Sequence, residues 1–221
     1  MQTLWIIGCG RFGHLAIERL GSGKQPKKFV VVEPNPDHLP LPRANMEIVR
    51  QDGVEFLKQH LILKNAPDPK NAPDWIIPAL PVHLAALWLM TESGPARIAR
   101  CSPPEGLKDH LPNPIFGPTG DIYTSMADFI CPDNCPEPAD YCPATGKKRG
   151  QNLFEWLETL ALKGFDMQVI RSRQLAPGVG GYKPQSLFEL KTNISQKPGK
   201  HLVATACRCH GVITPVSTQS Q

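Results

Sequence analysis

The hydrophobic pattern of the first hundred residues alternates between short apolar runs and segments with helical spacing. The apolar runs at residues 4–7, 29–32, 47–49 and 75–77 predict strands, and residues 12–20, 54–63 and 82–90 have the periodicity of helices. The runs are continuously apolar, which is typical of strands covered on both faces. Strand and helix in alternation predict a mostly parallel, Rossmann-like α/β sheet with right-handed crossovers.

Regular patterning returns after residue 150. The elements predicted there are a helix at 153–161, a strand at 167–170, a glycine-rich turn at 178–182, a helix from 186 and a last strand at 201–209. We expect these elements to extend the first sheet or to pack beside it. The polar tail from Thr214 onward predicts a frayed end.

The segment between these two parts has little periodicity. Nine prolines fall between Pro103 and Pro143, and three cysteines lie within the same stretch. A segment of this length without regular structure is usually functional or held in place by a ligand. The chain therefore divides into an α/β domain at 1–100, a Pro/Cys-rich segment at 101–150, an α/β extension at 151–213 and a tail at 214–221.

Composition narrows the classes of function. Of the 221 residues 41% are hydrophobic and 20% are charged, which is ordinary globular usage and argues against wholesale disorder. A net charge of +4 is too weak to indicate a nucleic-acid partner. The sequence has no apolar run of membrane-spanning length and no leader, so we expect a cytoplasmic protein without membrane insertion. Seven cysteines in that compartment favour metal or redox chemistry over disulfides.

Residues 8–13 read Gly-Cys-Gly-Arg-Phe-Gly and match the dinucleotide fingerprint G-x-G-x-x-G; we call them the glycine loop. The loop follows an apolar strand and opens a helix. Gly8 would permit the tight turn, Gly10 the approach of a pyrophosphate, and Gly13 the close packing of helix on strand. The N–H groups at the start of the helix would bind the phosphates.

Glu33 ends the second strand, twenty residues beyond the glycine loop. A carboxylate there would accept hydrogen bonds from ribose hydroxyls and repel a 2′-phosphate, which favours NAD over NADP. S-adenosylmethionine is the main alternative ligand, because its binding folds also combine a glycine-rich turn with an acid. The candidate cofactor-binding residues are Gly8, Gly10, Arg11, Phe12, Gly13 and Glu33.

The residues at 6–13 and at 74–83 resemble the NAD-binding regulatory domains of potassium-uptake systems and related Rossmann dehydrogenases. The resemblance covers about the first 95 residues and implies a dinucleotide cofactor. It also implies that the loop after the fourth strand lies beside the nicotinamide. His83 follows that loop and is a candidate catalytic acid or base, although a histidine that caps a helix start is the commoner case.

Three cysteines lie close together in the middle segment. Cys131, Cys135 and Cys142 have the spacing C-x3-C-x6-C, and each of them precedes a proline. Cys-Pro recurs at iron–sulfur clusters, whereas structural zinc sites more commonly use C-x2-C. The pattern favours an iron–sulfur cluster, with zinc or ordinary reduced thiols as alternatives.

A closed site needs a fourth ligand. Cys207 and Cys209 lie on the predicted last strand and point to opposite faces, so only one of them should reach the metal. Cys101 is the other candidate. The candidate metal ligands are Cys131, Cys135, Cys142, Cys207 and Cys209.

These features lead to a first hypothesis, an NAD-binding redox protein with a cysteine-ligated iron–sulfur cluster and the activity of an oxidoreductase of unspecified substrate. Its partner would be a small-molecule substrate or an electron-transfer protein, and a homo-oligomer stays open. The alternative is a non-catalytic NAD-sensing module with a structural or redox-responsive metal clip. We expect the Pro/Cys-rich segment to cover the carboxyl ends of the strands, where ligands bind in open α/β sheets.

Overall fold

The structure is a computed structural model that describes residues 1–23, 25–61, 73–91 and 98–218. Its first three helices are α1 (Arg11–Gly21), α2 (Gly53–His60) and α3 (Leu84–Thr91), and the later ones are α4 (Leu153–Thr159) and α5 (Pro184–Gln196). The strands are β1 (Gln2–Ile7), β2 (Lys27–Val32), β3 (Met46–Val49), β4 (Trp75–Pro78), β5 (Ile98–Arg100), β6 (Ile115–Phe116), β7 (Ile122–Ser125), β8 (Asp166–Arg171), β9 (Arg173–Ala176), β10 (Val179–Gly181), β11 (Lys200–Ala206) and β12 (His210–Thr218). The last two residues of the helix predicted at 54–63 lie outside the described residues.

The first sheet contains four parallel strands in the order β3-β2-β1-β4. Alternate residues of β1 face opposite layers, as the pleat requires. Leu4 and Ile6 pack against α1, whereas Trp5 and Ile7 pack in the core that contains α2 and α3. The parallel arrangement predicted from the apolar runs is therefore confirmed for this part of the chain.

The second sheet is separate and mixed. Its strand order is β6-β7-β12-β11-β8, and β5 also pairs with β12. Only the pair β8–β11 is parallel; the remaining pairs are antiparallel. The strands after residue 165 thus form a sheet of their own and do not extend the first one.

The edge of β4 that faces away from β1 is already occupied, and this explains why the second sheet does not join the first. Tyr182, which follows the β9–β10 hairpin, forms an antiparallel bridge with Ile76. The two residues exchange backbone N–H···O bonds of 2.9 and 3.0 Å. The hairpin therefore occupies the edge at which β8 or β11 could have added.

The two sheets share one hydrophobic core. Helices α2, α3 and α5 lie between them, so that Leu57 and Trp88 belong to the same buried cluster as Val203 and Val216 of the second sheet. Helix α4 packs on the opposite face of the second sheet, where Leu157 contacts a third cluster. No helix in the described part of the chain combines the length and the apolar character needed to span a bilayer.

The tail is more regular than the sequence predicts. Strand β12 continues to Thr218, and Thr214 and Val216 are buried within it. Pro215 obscured this strand because proline lacks a backbone donor. Its carbonyl accepts the N–H of Cys101, so its missing N–H faces the same side, in the gap between β5 and β7. The pairing of β12 with β11 is therefore kept.

The middle segment is also partly regular. Residues 107–110 form a short 3-10 helix, and β6 and β7 contribute to the second sheet. The stretch from residue 126 to residue 152 is without helix or extended strand, apart from an isolated bridge between Tyr141 and Lys148. Cys131, Cys135 and Cys142 lie in this irregular stretch. Cys207 and Cys209 were predicted on the last strand but lie in the turn between β11 and β12.

Candidate functional site

The glycine loop has the geometry that its sequence predicts. Gly8 has φ +95°, and a Cβ there would lie 2.8 Å from the carbonyl oxygen of Ala79. A Cβ on Gly13 would overlap the carbonyl oxygen of Gly8. Gly10 differs, because a Cβ there meets no atom within 4 Å. Two glycines are thus required by packing, whereas the third leaves open space.

The open space at Gly10 lies at the start of α1. Gly10 is the N-cap of this helix, and neither a capping side chain nor an acidic residue occupies the first turn. The first backbone N–H groups of a helix lack intrahelical partners and form the positive end of its dipole. Within the described residues, this helix start is therefore free to take an anion.

Glu33 lies against the glycine loop. The residue is 7% exposed, and its Oε2 accepts the N–H of Cys9 at 2.6 Å. Its Oε1 accepts the N–H of Asn35 at 2.9 Å and lies 3.8 Å from Nδ1 of His38. Burial, with the charge of Glu33, raises the pKa of the Cys9 thiol to about 11, so Cys9 stays protonated and serves as a small filler.

Arg11 and Phe12 extend outward from the loop. Phe12 is 57% exposed, and the Arg11 guanidinium lies 5.9 Å from the centre of its ring. Nη2 of Arg11 forms an ion pair of 2.7 Å with Oδ2 of Asp133. The loop's one charged side chain is thus directed to the middle segment.

His83 lies in a buried network that crosses between the two sheets. Its Nδ1 is 2.7 Å from the hydroxyl of Thr214, and its Nε2 is 2.9 Å from the hydroxyl of Thr205. The Thr214 hydroxyl donates to Asp121, whose carboxylate also pairs with Arg100 at 2.6 Å. Because Thr214 donates to Asp121, Nδ1 of His83 carries the proton and Nε2 accepts from Thr205.

The surroundings of His83 set its charge. The side chain is 2% exposed, and burial lowers its pKa to about 4. Burial raises the pKa of Asp121, but hydrogen bonds from Arg100, Thr214 and Thr119 outweigh that effect and lower it. A neutral His83 with both ring nitrogens engaged joins the loop before α3 to the second sheet, and this setting favours a positioning role over proton transfer to a ligand.

Five cysteines line one cavity of about 880 Å³. They are Cys131, Cys135, Cys142, Cys207 and Cys209, and Arg149 and His210 contribute to the same wall. Cys101 is not among the lining residues; its backbone is bound to Pro215 in the second sheet. The structure therefore brings together the cysteines predicted to be metal ligands and leaves Cys101 apart.

Electrostatic interactions connect four of the five thiols. Burial raises the pKa of Cys131, and the charges of Cys209, Cys135 and Cys142 raise it further. Burial raises the pKa of Cys207 to about 12, with the charge of Glu137 as the next cause. Cys209 therefore lies near the three cysteines of the middle segment, and Cys207 lines the same cavity.

Hydrogen bonds already stabilise three of the sulfur atoms. The Sγ of Cys207 accepts the backbone N–H groups of Cys209 at 3.5 Å and His210 at 3.3 Å. Nη1 of Arg149 lies 2.7 Å from the Sγ of Cys209. The side chain and N–H of Thr145 lower the pKa of Cys142. Backbone N–H groups that donate to sulfur also stabilise thiolates at metal centres.

As the side chains stand, no three histidine, cysteine, aspartate or glutamate residues in the described ranges are grouped closely enough to hold a metal ion. The four coupled thiols line the cavity without converging on one point.

Residues 131–135, which we call the cysteine loop, lie along the flank of α1. Nη1 of Arg19 donates to the carbonyl of Asp133 at 2.6 Å and to that of Pro177 at 2.5 Å. Nε2 of Gln174 donates to the carbonyl of Cys135 at 2.8 Å. The cysteine loop therefore contacts α1 at both Arg11 and Arg19, and the cavity lining contains no residue of the glycine loop.

Several residues of these sites have no local sequence signal. Asp121 and Thr214 are distant in sequence from His83, and Arg149 is 60 positions from Cys209. Asp133 is 122 positions from Arg11. Only the three-dimensional arrangement brings such pairs together.

Fold and site together define an α/β protein in which a parallel sheet is followed by the glycine loop and a second, mixed sheet adjoins the cysteine cavity. A family model described as "Uncharacterized protein, C-terminal domain" matches residues 82–219. A protein of Archaeoglobus fulgidus, described as an uncharacterized protein, is 30% identical in an alignment that covers 95% of this chain and 96% of the relative. The chain belongs to this family. No solved structure matches it.

Proposed function

We propose that this protein binds NAD at its glycine loop and acts as an NAD-sensing module, with the cavity cysteines as a thiolate-bound metal clip. The observation that carries the proposal is the division of roles among three glycines. Gly8 and Gly13 are required by packing, whereas Gly10 leaves a gap at an uncapped helix start. A gap of this kind admits a pyrophosphate to backbone N–H groups.

The strand order supports a dinucleotide. The order β3-β2-β1-β4 matches the first half of a Rossmann fold, in which the ligand lies beyond the carboxyl ends of the strands. The glycine loop follows β1 at that edge, and Glu33 follows β2. The two parts expected to contact pyrophosphate and ribose are thus adjacent, since Glu33 already accepts the N–H of Cys9.

Glu33 supports NAD over NADP. Its carboxylate is buried at the loop and would accept hydrogen bonds from the ribose hydroxyls through Oε1, whose present donor is the N–H of Asn35. A 2′-phosphate in the same position would meet a like charge with little water to screen it. A nucleotide with free ribose hydroxyls is therefore the better partner.

Sensing fits the described residues better than hydride transfer does. His83, the candidate acid or base, is buried with both ring nitrogens engaged. The cysteine cavity contains no residue of the glycine loop, so its thiols do not share a wall with the proposed nucleotide site. The nucleotide and the cysteines would then communicate through the protein and not through a shared reaction.

The proposal is tested by calorimetric titration of the purified protein with NAD, NADP and S-adenosylmethionine. We expect saturable binding of NAD at one site per chain and at least tenfold weaker binding of NADP, because of the charge of Glu33. The variant Glu33→Gln should narrow that difference. Tighter binding of S-adenosylmethionine than of NAD would exclude the dinucleotide proposal.

A second candidate is the NAD-linked redox protein with an iron–sulfur cluster. The observation that favours it is the coupling of Cys131, Cys135, Cys142 and Cys209 at one cavity wall. Four thiols are the donor set of both iron–sulfur clusters and structural zinc, and binding would draw them inward from their present positions. An iron–sulfur cluster would supply one-electron redox chemistry, whereas zinc would stabilise the fold.

The two candidates are separated by an absorption spectrum and a metal assay on protein purified without oxygen. Iron, acid-labile sulfide and broad visible absorption would favour the redox protein. Stoichiometric zinc in a colourless protein would favour the sensor. In either case Cys209→Ser should lower the metal content and Cys101→Ser should leave it at the wild-type value, since Cys209 lines the cavity and Cys101 does not.

A further inference from the structure

The proposed nucleotide site and the cysteine loop are joined by one ion pair. Arg11 lies in the glycine loop at the first position of α1, and its guanidinium is bound to the carboxylate of Asp133 at 2.7 Å. The Arg11 and Asp133 side chains are 74% and 44% exposed. The pair is therefore open to solvent and can exchange partners.

Asp133 is the midpoint of the cysteine loop, with Cys131 and Cys135 two positions away on either side. Its backbone is held by Arg19, and the carbonyl of Cys135 is held by Gln174. Position 178 adds a close contact, because a Cβ on Gly178 would overlap the carbonyl of Asp133. The side-chain bond to Arg11 is thus the contact of this loop that leads directly to the glycine loop.

A guanidinium binds phosphate well, since its planar donors match two phosphate oxygens. Arg11 directly follows Gly10, whose open side is where we place the pyrophosphate. An exposed carboxylate is a weak competitor, because most exposed ion pairs contribute little to stability. A bound dinucleotide would therefore present Arg11 with a doubly charged partner close to its own backbone.

We propose that Asp133 and the phosphates of the nucleotide compete for Arg11, so that nucleotide binding breaks the side-chain bond between the glycine loop and the cysteine loop while Arg19 keeps its bond to the Asp133 carbonyl. This inference rests on the proposed binding of NAD and adds the means by which the bound nucleotide reaches the cysteines. By thermodynamic reciprocity, whatever fixes the cysteine loop against Arg11 weakens nucleotide binding by the same factor. The contact between the cysteine loop and Arg11 would therefore differ between the nucleotide-free and the nucleotide-bound protein.

The first test measures NAD affinity in a double-mutant cycle on the full chain. Asp133→Asn removes the competitor, and we expect NAD to bind about two- to fivefold more tightly, in keeping with the strength of exposed ion pairs. In the Arg11→Met background, which should itself bind NAD more weakly, Asp133→Asn should change the affinity no further. Asp140→Asn is the matched control, because it removes an exposed carboxylate from the same segment.

The second test follows the loop itself by hydrogen–deuterium exchange. Saturating NAD should speed exchange in the peptide that covers residues 131–135 and leave the β11 peptide unchanged. Asp133→Asn should show the faster exchange in that loop without NAD. This readout does not depend on which metal the cysteines hold, so the protein is used as purified.

The outcomes separate the linkage from NAD binding. If wild-type protein binds NAD but Asp133→Asn has the same affinity and the same exchange at residues 131–135, the linkage is overturned and the binding proposal stands. If Asp133→Asn and Asp140→Asn gained equally in NAD affinity, the gain would come from the change in net charge, and the linkage would again be overturned. Absence of NAD binding to the wild type would overturn both proposals.

Discussion

At the scale of single residues, His83 shows how tertiary contacts change the interpretation of a candidate catalytic group. The sequence places it after β4, where a dehydrogenase could use an acid or base. The threonines of β11 and β12 take up both of its ring nitrogens. No local pattern predicts this arrangement, because Thr205 and Thr214 lie more than a hundred positions away.

The burial of His83 predicts a dependence of stability on pH. Its pKa is lowered from 6.5 to about 4 by burial, so the folded protein resists protonation and the unfolded chain accepts it. This contribution to stability is fully present above about pH 6.5 and is lost as the pH falls toward 4. A shift of this size corresponds to about 3 kcal/mol.

Urea unfolding at pH 7 and at pH 4.5 measures that loss. His201 and His210 also have lowered pKa values from burial and contribute in the same direction. The informative quantity is therefore the difference between wild type and His83→Asn. We expect a smaller loss in the variant, and an equal loss in both proteins would contradict the assignment of a neutral, buried His83.

The glycine loop is the residue-scale feature that the sequence predicted best. The spacing of Gly8, Gly10 and Gly13 predicted a tight turn, an open approach and a close helix contact, and each has its counterpart in the structure. Each of these roles is set by backbone within a few residues or by the adjoining β4 loop. Such local geometry can be inferred from residue type alone.

At the scale of elements, helices and strands of the first hundred residues follow the hydrophobic pattern closely. Asp52 caps α2, and its carboxylate accepts the N–H groups of Val54 and Glu55. Asn152 caps α4 in a capping box with Glu155. Caps are predictable because the signal and its partner lie within three residues of each other.

The hydrophobic pattern is interrupted in the elements that the sequence did not predict. Pro215 divides β12, although its carbonyl still accepts the N–H of Cys101. The hairpin strands β9 and β10 are short, β10 contains two glycines, and a register shift lies between Val179 and Gly180. Strands of this kind are stabilised by partners distant in sequence, here Ile76 through its bridge to Tyr182.

At the scale of the whole molecule, sheet membership could not be predicted from element order. A strand–helix–strand rhythm suits either one extended sheet or two. The hairpin on the edge of β4 and the antiparallel pairing of β12 with β11 lead to two sheets. The same arrangement brings the cysteines to one cavity and docks the cysteine loop on α1, so the position of the candidate metal site is a property of the assembled fold.

NAD binding at the glycine loop is the central prediction, and one pair of variants tests it most directly. Gly10→Ala adds a methyl group that meets no protein atom within 4 Å, so the fold should tolerate it while the phosphate site is obstructed. Gly21→Ala, at the other end of α1, is the matched control, because its Cβ would lie 3.7 Å from the nearest atom.

The measurement is the dissociation constant for NAD by calorimetry, with thermal unfolding of each variant to confirm folding. We predict wild-type affinity for Gly21→Ala and a loss of at least tenfold for Gly10→Ala. Gly21→Ala should be as stable as the wild type or slightly more stable, whereas Gly10→Ala should be folded but slightly less stable, because alanine is a poorer N-cap than glycine. Wild-type affinity in a folded Gly10→Ala protein would contradict the placement of the nucleotide at this loop.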